Sequence, residues 1–129
     1  MNYLLDTSSF LWFVNNDVKL SADAKVLLED PGCDIHLSLA SIWELAIKAN
    51  LRRGLELSRP FPVFIDEELQ TNRFRLLNIN ISHLKRVALL PFIHKDPFDR
   101  LLIAQSLAED LPIITNDTAF DAYRVQRIW

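Results

Sequence analysis

The sequence predicts an α/β fold in which a central, mostly parallel β-sheet is flanked by α-helices. Short apolar runs alternate along the chain with longer segments whose apolar residues recur at helical spacing, which is the pattern of strands connected by helices. The chain has 129 residues, half of them hydrophobic and only two of them glycine, which suffices for one well-packed core. We therefore expect a single domain that spans residues 1–129.

Strands are expected where an apolar run stops at polar or turn-forming residues. The first run, Tyr3 to Leu5, stops at Asp6, which puts Asp6 at the carboxyl end of a buried strand. The other predicted strands are residues 34–38, 74–79, 111–115 and a final edge strand at 125–129.

Helices are expected where apolar residues recur every three or four positions between cap and stop residues. The predicted helices are 8–16, with Thr7, Ser8 or Ser9 as its cap; 21–30, starting at Ser21; 39–54, ended by Gly54; 63–73, after Pro60 and Pro62; 81–90, capped by Ser82 and stopped by Pro91; and 96–110. Residues 120–123 are expected to form a short turn or helix.

The helix that begins at Asp96 carries two acids at its start. Asp96 suits the N-cap and Pro97 suits the first helical position. Asp99 lies one turn into the helix, where its charge meets the positive end of the dipole. Both acids could serve only to cap and charge the helix. The apolar residues from Leu101 to Leu107 indicate that this helix is packed deeply, so its first turn should be held firmly.

Glu44 is a further candidate acid, near the start of the helix that follows strand 34–38. One alternative is structural, because Ser41 and Glu44 stand three residues apart, as in a capping box. The other places Glu44 in a functional site, with Ser38 as the cap instead. Trp43 beside it is expected to be a packing residue rather than a platform for a stacked base.

Four acids follow strand ends or open helices, and these positions should meet at one edge of the sheet. They are Asp6, Glu44, Asp99 and Asp117. Ligands of open parallel sheets bind beyond the carboxyl ends of the strands, so we expect the four to converge. Such a cluster is stable only with bound cations or protons, and an all-carboxylate set favours Mg²⁺ or Mn²⁺.

A carboxylate site for hard cations suits phosphodiester hydrolysis, because a bound metal lowers the pKa of water and steadies charge on the leaving oxygen. The hydroxyls of Thr7, Ser8 and Thr115 are placed to orient a carboxylate or the attacking water, although each also fits a turn or cap. His94 could act on the leaving group, or it could be a surface residue.

The segments LLDTSSFLW, SIWELAIK, HKDPFDRLLIAQSLAED and LPIITNDTAFDAY, in this order, strongly resemble the PIN-domain ribonucleases and, within them, the VapC-type toxins of bacterial type II toxin–antitoxin modules. The resemblance covers essentially the whole chain. It implies a PIN-like parallel sheet flanked by helices, an endoribonuclease dependent on Mg²⁺ or Mn²⁺, an antitoxin partner and a homodimer. Carried over residue by residue, it makes Asp6, Glu44, Asp99 and Asp117 the catalytic and metal-binding acids, with Asp96 and Asn116 beside them.

Basic residues near these acids are candidates for holding RNA phosphates. They are Lys48, Arg52, Arg53, Lys95 and Arg100. A solvated helix face is the alternative for Arg52 and Arg53, and Lys48, four residues after Glu44, could instead form an intrahelical pair.

The net charge of −3 argues against binding nucleic acid through overall positive charge, so contact with RNA must use a local basic patch. The one cysteine, Cys33, fits a reducing compartment. The amino-terminal sequence shows neither a basic n-region nor an uninterrupted apolar span. We therefore expect a cytoplasmic protein without membrane association.

Two other classes of function are left open. A receiver-type signalling domain also gathers acids around Mg²⁺, but it would want an acidic pair at the first strand end, where Asp6 is followed by Thr7 and Ser8. A non-catalytic module of the same fold would bind RNA or an antitoxin without cutting. For that module, loss of Asp6 or Asp99 would leave function unchanged.

Overall fold

The computed structural model describes residues 1–129, and its centre is a sheet of five parallel strands. The strands are β1 (Asn2–Leu5), β2 (Asp34–Ser38), β3 (Arg75–Leu77), β4 (Ile113–Ile114) and β5 (Arg127–Ile128), in the spatial order β3-β2-β1-β4-β5. Every pairing is parallel, and the predicted α/β fold is confirmed. The predicted edge position of the last strand is also correct.

Six α-helices and one 3₁₀ helix connect the strands. They are α1 (Thr7–Val14), α2 (Ala22–Glu29), α3 (Leu39–Leu51), α4 (Phe61–Thr71), α5 (Ile81–Leu89), α6 (Pro97–Glu109) and the 3₁₀ helix Thr118–Tyr123. Each predicted helix is present. None of them combines the length and the apolar character needed to cross a bilayer.

Two helices begin at a different cap from the one predicted. Asp6 rather than Thr7, Ser8 or Ser9 caps α1, because Asp6 keeps the extended backbone of β1 while its Oδ1 accepts from Ser9 N at 2.9 Å. Asn80 rather than Ser82 caps α5, and it exchanges hydrogen bonds with His83 in a capping box. In both cases the last extended residue is polar, and the helix starts at once.

The start of α3 decides between the two alternatives for Glu44. Ser38 caps the helix, with its Oγ accepting from Ala40 N at 3.0 Å and donating to Gln105 Oε1 at 2.5 Å. Ser41 lies inside the helix, so the capping-box interpretation of Glu44 is wrong. The helix ends at Leu51, and its C-cap Arg52, which has a φ of 54°, stands two residues before the predicted stop at Gly54.

The core has two parts, one on each face of the sheet. Consecutive strand residues point to opposite faces, so Leu5 joins the part that contains Phe10, while Leu4 joins the part under α6. Residues Leu101 to Ala104 of α6 are all buried. The first turn of α6 is therefore held in a fixed position relative to the sheet.

The order of the strands reverses between β1 and β4. From β1 the chain builds outward through β2 to β3, and it then crosses to the other side of β1 to form β4 and β5. The crevice at such a reversal, beyond the carboxyl ends of the strands, is where open α/β sheets bind ligands. Asp6 follows β1 and Asp117 follows β4, so both acids lie at this crevice.

Candidate functional site

A cleft of about 550 Å³ lies at the reversal point. Its walls come from the end of β1, the first turns of α1, α3 and α6, and the segment after β4. The lining residues are Asp6, Thr7, Ser8, Trp12, Glu44, Asp96, Asp99, Asn116, Asp117 and Thr118. Five of these ten are acids, so the chain folds to bring together carboxylates that are distant in sequence.

Asp6 is the most deeply buried acid of the cleft. Its side chain is buried, Oδ1 accepts from Ser9 N at 2.9 Å, and Oδ2 accepts from Thr115 Oγ1 at 2.7 Å. Burial raises the pKa of Asp6, and the hydrogen bonds from Ser9 and Thr115 oppose that rise. Thr115, at the end of β4, thus orients the carboxylate that follows the neighbouring strand β1.

Asp99 is partly buried and has three other acids of the cleft near it, Asp96, Asp6 and Glu44. Burial raises the pKa of Asp99 to about 7, and the charge of Asp96 adds to the rise. Asp6 and Glu44 raise it further, while His94 lowers it. In the protein without a cation, the Asp99 carboxyl group is therefore about half protonated near pH 7.

His94 lies between two of the acids. Its Nε2 is 3.1 Å from Asp99 Oδ2 and 3.1 Å from Asp117 Oδ2, and its side chain is largely buried. It is therefore not the surface residue that one interpretation of the sequence suggested. Asp117 also caps the 3₁₀ helix, with Oδ1 accepting from Ala119 N at 3.0 Å.

The remaining acids have partners of their own. Glu44 Oε2 lies 3.2 Å from Lys48 Nζ, so the intrahelical pair that the spacing allowed is present. Asp96 caps α6 as predicted, with Oδ1 accepting from Phe98 N at 2.9 Å and from Asp99 N at 3.0 Å.

One sequence-based assignment does not agree with the structure, and a second agrees only in part, because Thr7 lines the cleft but does not orient a carboxylate. Arg100 cannot hold an RNA phosphate, because its side chain is buried and donates to backbone carbonyls, among them Pro91 O at 2.9 Å and His94 O at 3.3 Å. The hydroxyl of Thr7 does not donate to an acid; it donates to Ser41 Oγ at 2.9 Å, which ties α1 to α3. The spacing around DPFDR could not show that the arginine points inward.

Of the other predicted residues, two line the cleft and three do not. Asn116 and Ser8 are exposed at the cleft, and Arg52, Arg53 and Lys95 are exposed outside its lining. Trp43 contacts Phe98 by one edge, with ring centroids 5.0 Å apart, but it is 58% exposed and so only partly the expected packing residue.

Sequence reasoning missed Trp12, the one apolar side chain that lines the cleft. Its ring contacts Trp129 edge to face at 5.8 Å between centroids, and Lys19 Nζ lies 6.0 Å from the ring centre. The available signal was spacing: Trp12 stands four residues after Ser8 on α1, so both share the helix face that looks toward the acids.

The donor set fits a hard divalent cation. Carboxylate oxygens dominate the cleft, as Mg²⁺ and Mn²⁺ require, and thiolates are absent from it. Ligand atoms of His94, Asp99 and Asp117 lie within 4.8 Å of one another. Burial is the main cause of the raised pKa of Asp99, and the neighbouring acids, whose repulsion a cation would relieve, add to it.

Comparison with known proteins gives a consistent result. The family model of the PIN domain matches residues 3–126. No relative with a curated function matches the sequence. Three similar solved structures each cover nearly the whole of both chains. They are VapBC2 from Rickettsia felis bound to a DNA fragment from their promoter (TM-score 0.76, 15% identity, 99% of this chain and 98% of that chain), VapBC-1 from nontypeable Haemophilus influenzae (0.69, 18%, 99% and 97%) and FitAcB from Neisseria gonorrhoeae (0.68, 20%, 100% and 97%).

Asp99→Asn should change how stability depends on pH in the metal-free protein. Because the folded pKa of about 7 exceeds the unfolded value near 3.8, the native state holds a proton that the unfolded chain releases. Wild-type stability should therefore fall as pH rises from about 4 to about 7 and then level off. The variant should lose this part of the slope and be the more stable protein at pH 7.

Urea unfolding in EDTA at pH 5, 6 and 7 measures the effect. Asp66→Asn, at an exposed acid on α4, is the matched control and should keep the wild-type slope. Parallel slopes for wild type and Asp99→Asn would contradict the assignment of the raised pKa to Asp99.

Proposed function

The chain belongs to the PIN domain family, and from this premise we propose that it is a divalent-metal-dependent endoribonuclease that acts as the toxin of a toxin–antitoxin pair. The observation that carries the proposal is the convergence of Asp6, Glu44, Asp99 and Asp117 in one cleft. The sequence resemblance to VapC-type toxins supports the same function. The receiver-type alternative is not retained, since the chain belongs to a different family.

Asp6, Glu44, Asp99 and Asp117 are the residues that would hold Mg²⁺ or Mn²⁺. When bound, the metal supplies an activated water and neutralises charge on the scissile phosphate. Asp6 enters this role already oriented by Ser9 and Thr115. Asp99 must lose its proton to bind the metal, so metal affinity should rise with pH up to about 7.

The acids of the cleft repel RNA phosphates, so RNA binding needs contacts from other residues. Arg52, Arg53 and Lys95 are exposed cations available to phosphates, whereas Lys48 is engaged by Glu44. Trp12 adds an aromatic surface inside the cleft, and Lys19 adds a cation next to it. Base stacking on an aromatic side chain suits unpaired RNA, because a base inside a helix has no free face.

Asp6→Asn should abolish cleavage while preserving the fold, because asparagine still caps α1. We expect RNA cleavage by wild-type protein in Mg²⁺ or Mn²⁺, none in EDTA, and a rate at least about 100-fold lower in the variant, given the several kcal/mol that metal-assisted charge stabilisation supplies. Gel analysis of a mixed RNA substrate measures this.

Asp66→Asn serves as the control and should cut like wild type. If the wild type bound RNA but cut it with neither Mg²⁺ nor Mn²⁺, the protein would be a non-catalytic binding module and not a nuclease. Equal cutting by Asp6→Asn would remove Asp6 from the active site.

Trp12→Ala should weaken RNA binding. Binding of a short single-stranded RNA is measured in the Asp6→Asn background, where the strand stays intact. A lost stack of about 1–3 kcal/mol corresponds to a Kd about 5- to 150-fold higher. Trp12→Phe should retain most of the affinity, and Trp43→Ala should change it less. An unchanged Kd for Trp12→Ala would place the bases elsewhere.

We also propose an antitoxin partner and a homodimer. The similar solved structures VapBC2 and VapBC-1, and the toxin–antitoxin complex from Klebsiella pneumoniae, support the first. The second is supported by a face on and after α5 whose large apolar side chains are exposed in the single chain. This α5 face consists of Ile81, Leu84, Leu89, Phe92 and Ile93.

Leu89→Glu should convert the dimer to a monomer. Leu89 is 84% exposed, so the charge should leave the folded chain intact and act only on an apolar contact between copies. Light scattering should give about twice 14.9 kDa for wild type and 14.9 kDa for the variant. Val18→Glu, at another exposed position, is the control. A monomeric wild type would contradict the homodimer.

A further inference from the structure

We propose that His94 is a positioning residue: its Nε2–H group holds the carboxylates of Asp99 and Asp117 together as metal ligands, and the imidazole does not itself bind the metal. The inference rests on the proposed function, because it treats these two acids as ligands. It goes beyond that function because it assigns a role to His94, which the four metal-binding acids do not explain.

The hydrogen bonds of the imidazole determine which nitrogen carries the proton. Asp96 N lies 3.2 Å from His94 Nδ1, and a backbone N–H can only donate. Nδ1 must therefore offer a lone pair, which puts the ring proton of neutral His94 on Nε2. That proton faces Asp99 Oδ2 and Asp117 Oδ2, both at 3.1 Å.

The same contacts argue against ligation by the ring. A ligating Nε2 has to give up its proton, and the neutral ring would then carry the proton on Nδ1. Two N–H groups, those of Nδ1 and of the Asp96 backbone, would point at each other across 3.2 Å. Nε2 therefore lies where its N–H group can donate to both carboxylates. Carboxylates that bind a metal are commonly held by such hydrogen bonds from groups outside the ligand set.

His94 can fix the two acids because it is itself fixed. Its backbone N donates to Tyr123 Oη at 2.5 Å, and its ring packs edge to face on Phe120 with centroids 5.8 Å apart. Tyr123 Oη also accepts from Ile93 N at 2.9 Å and donates to Pro91 O at 2.9 Å. The loop of residues 91–96 is thereby tied to the 3₁₀ helix that Asp117 caps.

Arg100 holds the other side of this loop. It is buried on α6, one residue after Asp99, and donates to Pro91 O, to His94 O and to Tyr123 Oη. The arginine that the sequence suggested for phosphate binding is therefore part of the support of His94. His94 thus connects Asp99 of α6 to Asp117 after β4. Arg100 of α6 and Tyr123 of the 3₁₀ helix hold His94 in place.

The first test reads the tautomer directly. In ¹⁵N-labelled protein, long-range proton–nitrogen spectra should show His94 protonated at Nε2 in EDTA and still protonated at Nε2 after Mg²⁺ is added. A proton on Nδ1 in EDTA, or loss of the Nε2 proton on adding Mg²⁺, would overturn the proposal. Neither result depends on cleavage, so a failed nuclease assay and a failed His94 assignment are distinguishable.

The second test measures Mn²⁺ affinity from the free-ion electron paramagnetic resonance signal. Loss of an outer-shell partner typically costs about 10- to 100-fold in metal affinity, and His94→Ala should show this. His94→Gln places an amide N–H near the position of Nε2 and should stay within about 3-fold of wild type. His36→Ala, at a histidine outside the cleft, should bind Mn²⁺ like wild type.

Each outcome of this series decides the assignment. Wild-type affinity in His94→Ala would show that the imidazole does not position the ligands, and equal loss in His94→Gln and His94→Ala would indicate a ring-specific role such as ligation. Tyr123→Phe should weaken Mn²⁺ binding in wild type but add little in the His94→Ala background, because Tyr123 acts through the loop. Absence of Mn²⁺ binding by the wild type would instead refute the proposed metal site.

Discussion

Repulsion among carboxylates at the reversal between β1 and β4 is the constraint on which the rest of this structure depends. The fold offsets it by placing acids at the amino ends of helices. Asp6 caps α1, Asp96 caps α6 and Asp117 caps the 3₁₀ helix, while Asp99 lies in the first turn of α6. Each receives backbone N–H groups or the positive end of a dipole. The acids that line the cleft are thus also the residues that cap or open the helices around it.

Local sequence rules identified much of this arrangement. An Asp before Pro predicted the start of α6, and the topological rule for parallel sheets predicted that acids from four segments would meet. The rules failed where the decisive contact is distant in sequence. Arg100 is surrounded by the carbonyls of a loop before its own helix, and its burial cannot be read from DPFDR. The side-chain donor to Asp6 is Thr115, 109 residues away.

The position of Glu44 depends on a series of hydrogen bonds that connects its helix α3 to α6 and α5. Ser38, the cap of its helix, donates to Gln105 of α6, whose amide nitrogen lies 3.4 Å from Nδ1 of the fully buried His83. His83 Nε2 in turn lies 2.8 Å from Glu109. Buried polar groups are costly unless they are paired, so this chain of partners favours one relative position of α3, α5 and α6. The acid on α3 is accordingly positioned by α6, which also carries Asp99.

The central place of β1 has a consequence for synthesis. β1 is completed on one side by β2, the next strand along the chain, and on the other by β4, which is made only after β2, β3 and the helices between them. A nascent chain that has not yet delivered β4 lacks Thr115, lacks Asp117 and has no second wall to its cleft. Long-range parallel pairing of this kind also forms slowly. The acids therefore cannot be assembled until β4 has docked beside β1, so a chain that still lacks β4 cannot carry out the proposed chemistry.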